Sequence, residues 1–68
     1  MGNMRIKFNK QITVDFMDNH DEVGSKTFYP SQIIEVVGIE ETAKGFVDLI
    51  FDDGSYAIGI PKGGLTIL

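Results

Sequence analysis

The sequence predicts an all-β fold, a small five-stranded barrel with a 3₁₀ turn before its last strand. Apolar and polar residues alternate with the period of two that is typical of half-buried strands, and turn-forming residues interrupt the chain every 8–12 positions. No stretch of ten or more residues has the 3.6-residue period of an amphipathic helix. The length suits one domain, residues 1–68, and closure into a barrel would remove open sheet edges.

The first part of the chain is predicted to hold strand structure at residues 4–16 and then a long loop. Apolar side chains occupy the even positions of residues 4–16 except at Lys10, which indicates one half-buried strand that bends there, or two short strands joined at Asn9-Lys10. Residues 17–27 have the side chains of turns and almost no apolar periodicity. They are therefore predicted to be a long polar loop, with irregular hairpin character as an alternative.

Three more strands are predicted in the second part. Apolar runs rich in β-branched or aromatic residues predict strands at 32–39, 46–51 and 56–60. A polar connection at 40–45 and an Asp-Gly hairpin turn at 52–55 are predicted to join them. Pro61 to Gly64 then interrupt the pattern, and a last strand at 65–68 is expected beside the first. Gly63 and Gly64 are expected to give the backbone the freedom to reverse direction.

Composition argues against several classes of protein. Cysteine is absent, which excludes disulfides and thiolate zinc sites. The net charge is −4, and residues 35–68 hold six acidic and two basic side chains, the opposite of the bias in nucleic-acid binders. No apolar run approaches the roughly 20 residues of a membrane span, and the N-terminus lacks a signal-peptide pattern. We therefore expect a cytoplasmic protein, and we expect no cofactor.

Candidate sites for metals or catalysis are few. Asp18, His20, Asp21 and Glu22 carry metal-ligating groups, but the pattern favours a solvated loop, and an EF-hand series is lacking. The chain has one histidine, no cysteine and no serine in a nucleophile elbow. The Asp52-Asp53 pair belongs to a wet turn, where acid–base chemistry is not favoured. The sequence therefore predicts a protein that is not an enzyme and holds no metal.

The order of these elements resembles the Src-homology-3 (SH3)-like barrel over roughly residues 5–68. The matching segments are 17–27 (its RT loop), Thr27 to Val37 (its second strand and diverging turn), Gly45 to Ile50 (its third strand), Asp52-Asp53-Gly54 (its distal hairpin) and Gly59-Ile60-Pro61 (its Gly-aromatic-aliphatic-Pro segment). SH3 domains bind proline-rich peptides through an aromatic groove. Here Val14-Asp15-Phe16-Met17 replaces the Ala-Leu-Tyr-Asp-Tyr motif, Phe46 replaces a tryptophan, and Lys62-Gly63-Gly64 stands where a tyrosine is expected. Proline-rich peptides are therefore not the expected ligands.

The chain also resembles short acidic proteins of bacteriophages and prophages, which have an alternating N-terminal strand and a terminal Asp-Gly…Gly-Ile-Pro-Lys pattern. This resemblance implies a small accessory role in the host cytoplasm.

The most informative feature for function is an excess of apolar residues. Each predicted strand has one face for the core, yet apolar side chains remain on the other face, where they favour a binding surface. The expected contact set is Phe46, Ile50, Ile33, Val37 and Tyr56, rimmed by acidic residues of the second half. Phe46 and Ile50 are expected to lie over the small residues Ala57 and Gly59. In the alternative interpretation, the 17–27 loop folds back and covers them.

The sequence therefore favours a non-enzymatic accessory protein that binds a protein partner, such as a host protein, and that self-associates. One alternative is a nucleic-acid-binding barrel that uses Arg5, Lys7, Lys10 and Lys26. Another is an oligomer that sequesters a nucleotide or other small ligand between its subunits.

Overall fold

A computed structural model describes residues 3–68. In this part of the chain there are eight strands and one short 3₁₀ helix, η1: β1 (Met4–Phe8), β2 (Ile12–Met17), β3 (Val23–Phe28), β4 (Ile33–Val36), β5 (Gly38–Ala43), β6 (Phe46–Ile50), β7 (Tyr56–Pro61), η1 (Lys62–Gly64) and β8 (Leu65–Ile67). Residues 3–68 contain no helix long and apolar enough to cross a membrane.

The strands form two antiparallel sheets. One has three strands in the order β4-β1-β8, and the other has five in the order β3-β2-β7-β6-β5. The all-β class is confirmed, but the count of five strands is wrong, because eight strands form two sheets that do not close into a single barrel. The chain passes between the sheets four times: at residues 9–11, at residues 29–32, at Val37 and at η1. The predicted break at Asn9-Lys10 is thus confirmed.

The core lies between the sheets, and the even positions of β1 and β2 point into it as predicted. The Phe8 ring stacks on the Phe28 ring, with centroids 4.4 Å apart and planes 6° apart, and so links β1 to the other sheet. The buried apolar residues are Ile6, Phe8, Ile12, Val14, Phe28, Val36, Val47, Leu49, Ala57 and Ile60.

The predicted long loop at 17–27 is wrong, whereas the alternative of hairpin character is confirmed, because β2 and β3 form a regular hairpin that leaves only residues 18–22 as the turn. The Asp18 carboxylate closes this turn by accepting hydrogen bonds from the backbone N–H groups of His20 (2.8 Å) and Glu22 (3.0 Å). Strand β3 is an edge strand whose residues from Val23 to Lys26 are all exposed. Its sequence therefore lacks the apolar alternation by which strands are recognised.

The predicted connection at 40–45 is also mostly strand. Strand β5 runs to Ala43, and only Lys44 and Gly45 form the turn before β6. The alternation shifts by one residue where the chain changes sheets at Val37. As a result, Ile39 packs against the core instead of sharing the outward face of Ile33.

A bulge interrupts the pairing of β6 with β7. Gly59 has a φ of 75° and its N–H donates to Asp48 Oδ1 at 3.0 Å, where the register shifts between Val47 and Leu49. The extra residue turns both Ala57 and Ile60 into the core. The expectation that outward side chains of β6 cover Ala57 is therefore wrong.

The end of the chain follows the prediction in outline. A 3₁₀ turn precedes β8, which pairs with β1. The predicted reason for its glycines needs correction, because neither Gly63 nor Gly64 has a positive φ. A Cβ at Gly64 would collide with the Cδ1 methyl of Ile12, which would have to move, so this glycine lies at a position of close packing against β2.

Candidate functional site

Two of the five predicted contact residues, Ile50 and Tyr56, lie together on the outer face of the five-stranded sheet. They are direct cross-strand partners on the adjacent strands β6 and β7. Val37 lies beside them in the link between β4 and β5, and its N–H donates to the Ile50 carbonyl at 2.8 Å. Tyr56 and Val37 are exposed and Ile50 is half-buried.

The other two lie elsewhere. Phe46, 44% exposed, is at the opposite end of β6, about 13 Å along the strand from Ile50. Ile33 is in the three-stranded sheet, opposite Lys7 of β1. The five predicted contact residues therefore belong to three separate surface regions and do not form one patch.

The register of the hairpin adds two residues that sequence reasoning missed. Met17 pairs with Tyr56 on one side and with Val23 on the other. Directly opposite residues of antiparallel strands point to the same face. An apolar row, here named the outer row, therefore crosses four adjacent strands and consists of Val23, Met17, Tyr56 and Ile50.

The outer row ends on β5 at a glycine. Gly38 is the cross-strand partner of Ile50, and a Cβ at Gly38 would lie 3.2 Å from Ile50 Cδ1. The Ile50 side chain therefore lies across Gly38, which leaves Tyr56 (38% exposed) and Val23 (69% exposed) as the more accessible members. With Gly38 included, the row spans five strands, a length of roughly 20 Å.

Carboxylates surround the outer row. Three carboxylates lie on the same face, each two residues along its strand from the row: Asp15, Asp48 and Glu40. Glu40 is directly opposite Asp48. The turns that flank the row, 18–22 and 51–55, carry five more carboxylates: Asp18, Asp21, Glu22, Asp52 and Asp53. Eight of the ten acidic residues of the chain therefore border the row, and none of the cross-strand partners named above is a lysine or arginine.

The hairpin does not cover this surface. It adds β3 to the edge of the sheet through β2, so its turn extends the face instead of folding across it. The sequence does hold a signal for Met17 and Val23. They lie on either side of the polar run Asp-Asn-His-Asp-Glu, and apolar residues on both sides of such a run are typical of a hairpin.

A groove opens on the other side of the five-stranded sheet, between its inner face and β8. It has a volume of about 450 Å³ and is lined by Ile39, Glu41, Val47, Lys62, Leu65 and Ile67. Lys62 Nζ lies 2.9 Å from Glu41 Oε2, so this ion pair joins η1 to β5 at the groove. The hydrogen bond from Lys62, together with that from the Gly45 N–H, lowers the pKa of the Glu41 carboxyl.

The four candidate cations for nucleic acid do not share one face. Arg5 and Lys7 point outward from β1 in the three-stranded sheet, and Lys10 is exposed in the connection after it. Lys26 lies in the other sheet, with Nζ 5.2 Å from the centroid of the Phe16 ring.

Two of the candidate metal and catalytic groups, the Asp18 and Asp53 carboxylates, accept hydrogen bonds that stabilise turns. Within residues 3–68, no group of three or more histidine or acidic side chains is arranged to hold a metal ion. The Asp53 carboxylate accepts hydrogen bonds from the hydroxyl and the N–H of Ser55, and these bonds lower its pKa. The lowered pKa means that the ionised form of Asp53, which accepts these hydrogen bonds in the turn, is favoured.

Comparison with known proteins finds no matching family model, no significantly similar curated protein and no significantly similar solved structure.

Proposed function

We propose that this protein is a non-enzymatic accessory protein that binds a protein partner through the outer row. The observation that carries the proposal is the continuous line of apolar side chains, Val23-Met17-Tyr56-Ile50, on a sheet face that no other element of residues 3–68 covers. A contiguous apolar strip rimmed by polar residues is typical of protein interfaces, and a tyrosine at its centre is a favoured anchor.

The acidic border defines the chemistry of the partner. Eight carboxylates around the row favour a segment that presents apolar side chains flanked by lysine or arginine. Phage origin and a partner in the host cytoplasm rest on the resemblance of the sequence to small acidic phage proteins.

The strand order supports an SH3-like assignment of the fold. A hairpin follows the first strand, the chain changes sheets at Val37, and a 3₁₀ turn precedes a last strand that pairs with the first. The proposed surface is a sheet face and does not require the aromatic groove that the sequence lacks.

The test is a titration of the ¹⁵N-labelled protein with a synthetic peptide of alternating leucine and lysine, with a leucine–glutamate peptide as the control probe. We expect amide shifts along the outer row with the lysine peptide only, and weaker binding as salt is added. Shifts confined to other surfaces, or equal binding of both peptides, would contradict the proposal.

Substitutions locate the surface. Tyr56→Asp should remove binding, whereas Ile33→Asp, at an exposed apolar position in the other sheet, should retain it. Phe46→Asp tests whether the contact extends along β6. A folded Tyr56→Asp variant that binds like the wild type would overturn the assignment of the row.

A further inference from the structure

The last strand, β8, has an open backbone edge. Among the residues that the structure describes, it pairs with β1 alone, and the hydrogen bonds on this side include Asn9 N–H to the Gly64 carbonyl (2.8 Å) and Leu68 N–H to the Arg5 carbonyl (2.9 Å). Backbone groups alternate between the two sides of an antiparallel strand. The carbonyl of Leu65 and both backbone groups of Ile67 therefore point away from β1.

This edge differs from the other three in charge. Strands β3, β4 and β5 are also at sheet edges, and they carry Lys26, Glu35 and the pair Glu40-Glu41, respectively. Charged side chains on an edge strand oppose pairing with another chain, and β5 has an irregular register as well. Strand β8 is Leu-Thr-Ile, with no charge, and its Ile67 is 58% exposed.

The groove lies beside the same edge. Leu65 and Ile67 contribute to its lining, together with apolar side chains of β5 and β6. A strand added to β8 would direct alternate side chains into this space, as in other cases of strand addition.

We propose that β8 pairs antiparallel with β8 of a second copy of this chain, around a two-fold axis near Thr66. In this register Leu65 lies opposite the second copy's Ile67, and directly opposite residues point to the same face. The second copy's Ile67 therefore enters the groove beside Leu65, and the symmetry repeats this contact in the other subunit. The two three-stranded sheets become one continuous sheet.

The proposed pairing of β8 strands is independent of the outer row. The net charge of the chain determines how this pairing responds to salt. Each chain has a net charge of −4, so two copies repel, while the β8 edge itself is uncharged. Salt screens this repulsion and should favour the dimer. The opposite response is expected for a cationic partner at the outer row.

The test is sedimentation velocity of the full chain over a range of concentrations. The wild type should change from monomer to dimer as concentration rises, and Ile67→Lys should remain monomeric because it places a charge on the edge. The matched control is Ile33→Lys, 53% exposed on the opposite edge of the same sheet, which should dimerise like the wild type.

Amide hydrogen exchange of the wild type gives a second measurement that needs no variant. The Ile67 N–H should become protected as concentration rises. A wild type that stays monomeric with an unprotected Ile67 N–H, a folded Ile67→Lys that dimerises normally, or loss of the dimer in Ile33→Lys alone would each overturn the proposal.

Discussion

The outer row and the β8 edge are both apolar, but they differ in the charge around them. Eight carboxylates border the row, whereas the three residues of β8 are uncharged. This difference is why we propose a cationic partner for the outer row and an identical strand for the β8 edge. Apolar exposure alone therefore does not define a partner, because the neighbouring charges affect which molecules can approach.

The two surfaces also depend on different glycines, so each can be disturbed separately. The largest expected effect is at Gly64→Ala on the β8 side, where the new Cβ would collide with the buried Ile12 side chain. Overpacking of this kind costs about 1–3 kcal/mol of the free energy of unfolding, measured by urea denaturation. Gly63→Ala is the matched control, because nothing lies within 4 Å of its Cβ position. Equal losses in both variants would show that the contact with Ile12 is unimportant.

A smaller effect is expected at Gly59→Ala, which disturbs the side of the outer row. An alanine at a φ of 75° costs about 1–2 kcal/mol of stability, and the bulge beside Asp48 should relax. Urea denaturation measures the loss, and the amide shifts of Ile58 and Tyr56 report the change in the row. Gly24→Ala is the control, with a free Cβ position and no positive φ. Unchanged stability in Gly59→Ala would contradict the role of the bulge.

The smallest effect concerns the ion pair at the groove. The pKa of Glu41 is lowered in the folded state, chiefly by the hydrogen bond from Lys62, so ionised Glu41 stabilises the fold above its ordinary pKa. This contribution is lost as the pH falls through the lowered pKa. Glu41→Gln should therefore be slightly less stable than the wild type at neutral pH, and the urea midpoints should converge in acid.

Glu40→Gln is the control for that comparison. Glu40 faces Asp48 on the outer side of β5, so its neutralisation relieves repulsion and should not lower stability at neutral pH. A loss in Glu40→Gln as large as that in Glu41→Gln would argue against the ion pair as the cause.

The sequence predicted the elements whose two faces differ in burial. Strands β1 and β2 were recognisable because the core takes every second residue, and the turn before Tyr56 because Asp-Gly tolerates a positive φ. Strand β3 and the part of β5 after Ile39 were missed because they are edge strands with mostly exposed side chains. Periodicity reports burial and not hydrogen bonding, so such strands leave little trace in a sequence.

The candidate surface was predictable only in part for a related reason. Ile50, Tyr56 and Val37 were identified as surplus apolar residues, and they are neighbours. Met17 and Val23 belong beside them only because of the register of the hairpin, which links residues far apart in the chain. Alternation places a residue on a face, but it does not say which strand lies next to it.

The position of Tyr56 gives the molecule a natural optical reporter. The chain has no tryptophan and two tyrosines, and the other, Tyr29, lies between β3 and β4, outside the row. In a Tyr29→Phe variant all tyrosine fluorescence would come from Tyr56 in the row. A partner bound at the row should then change the tyrosine emission, while pairing of β8 strands should leave it unaltered. Tyrosine fluorescence would therefore distinguish the two binding events.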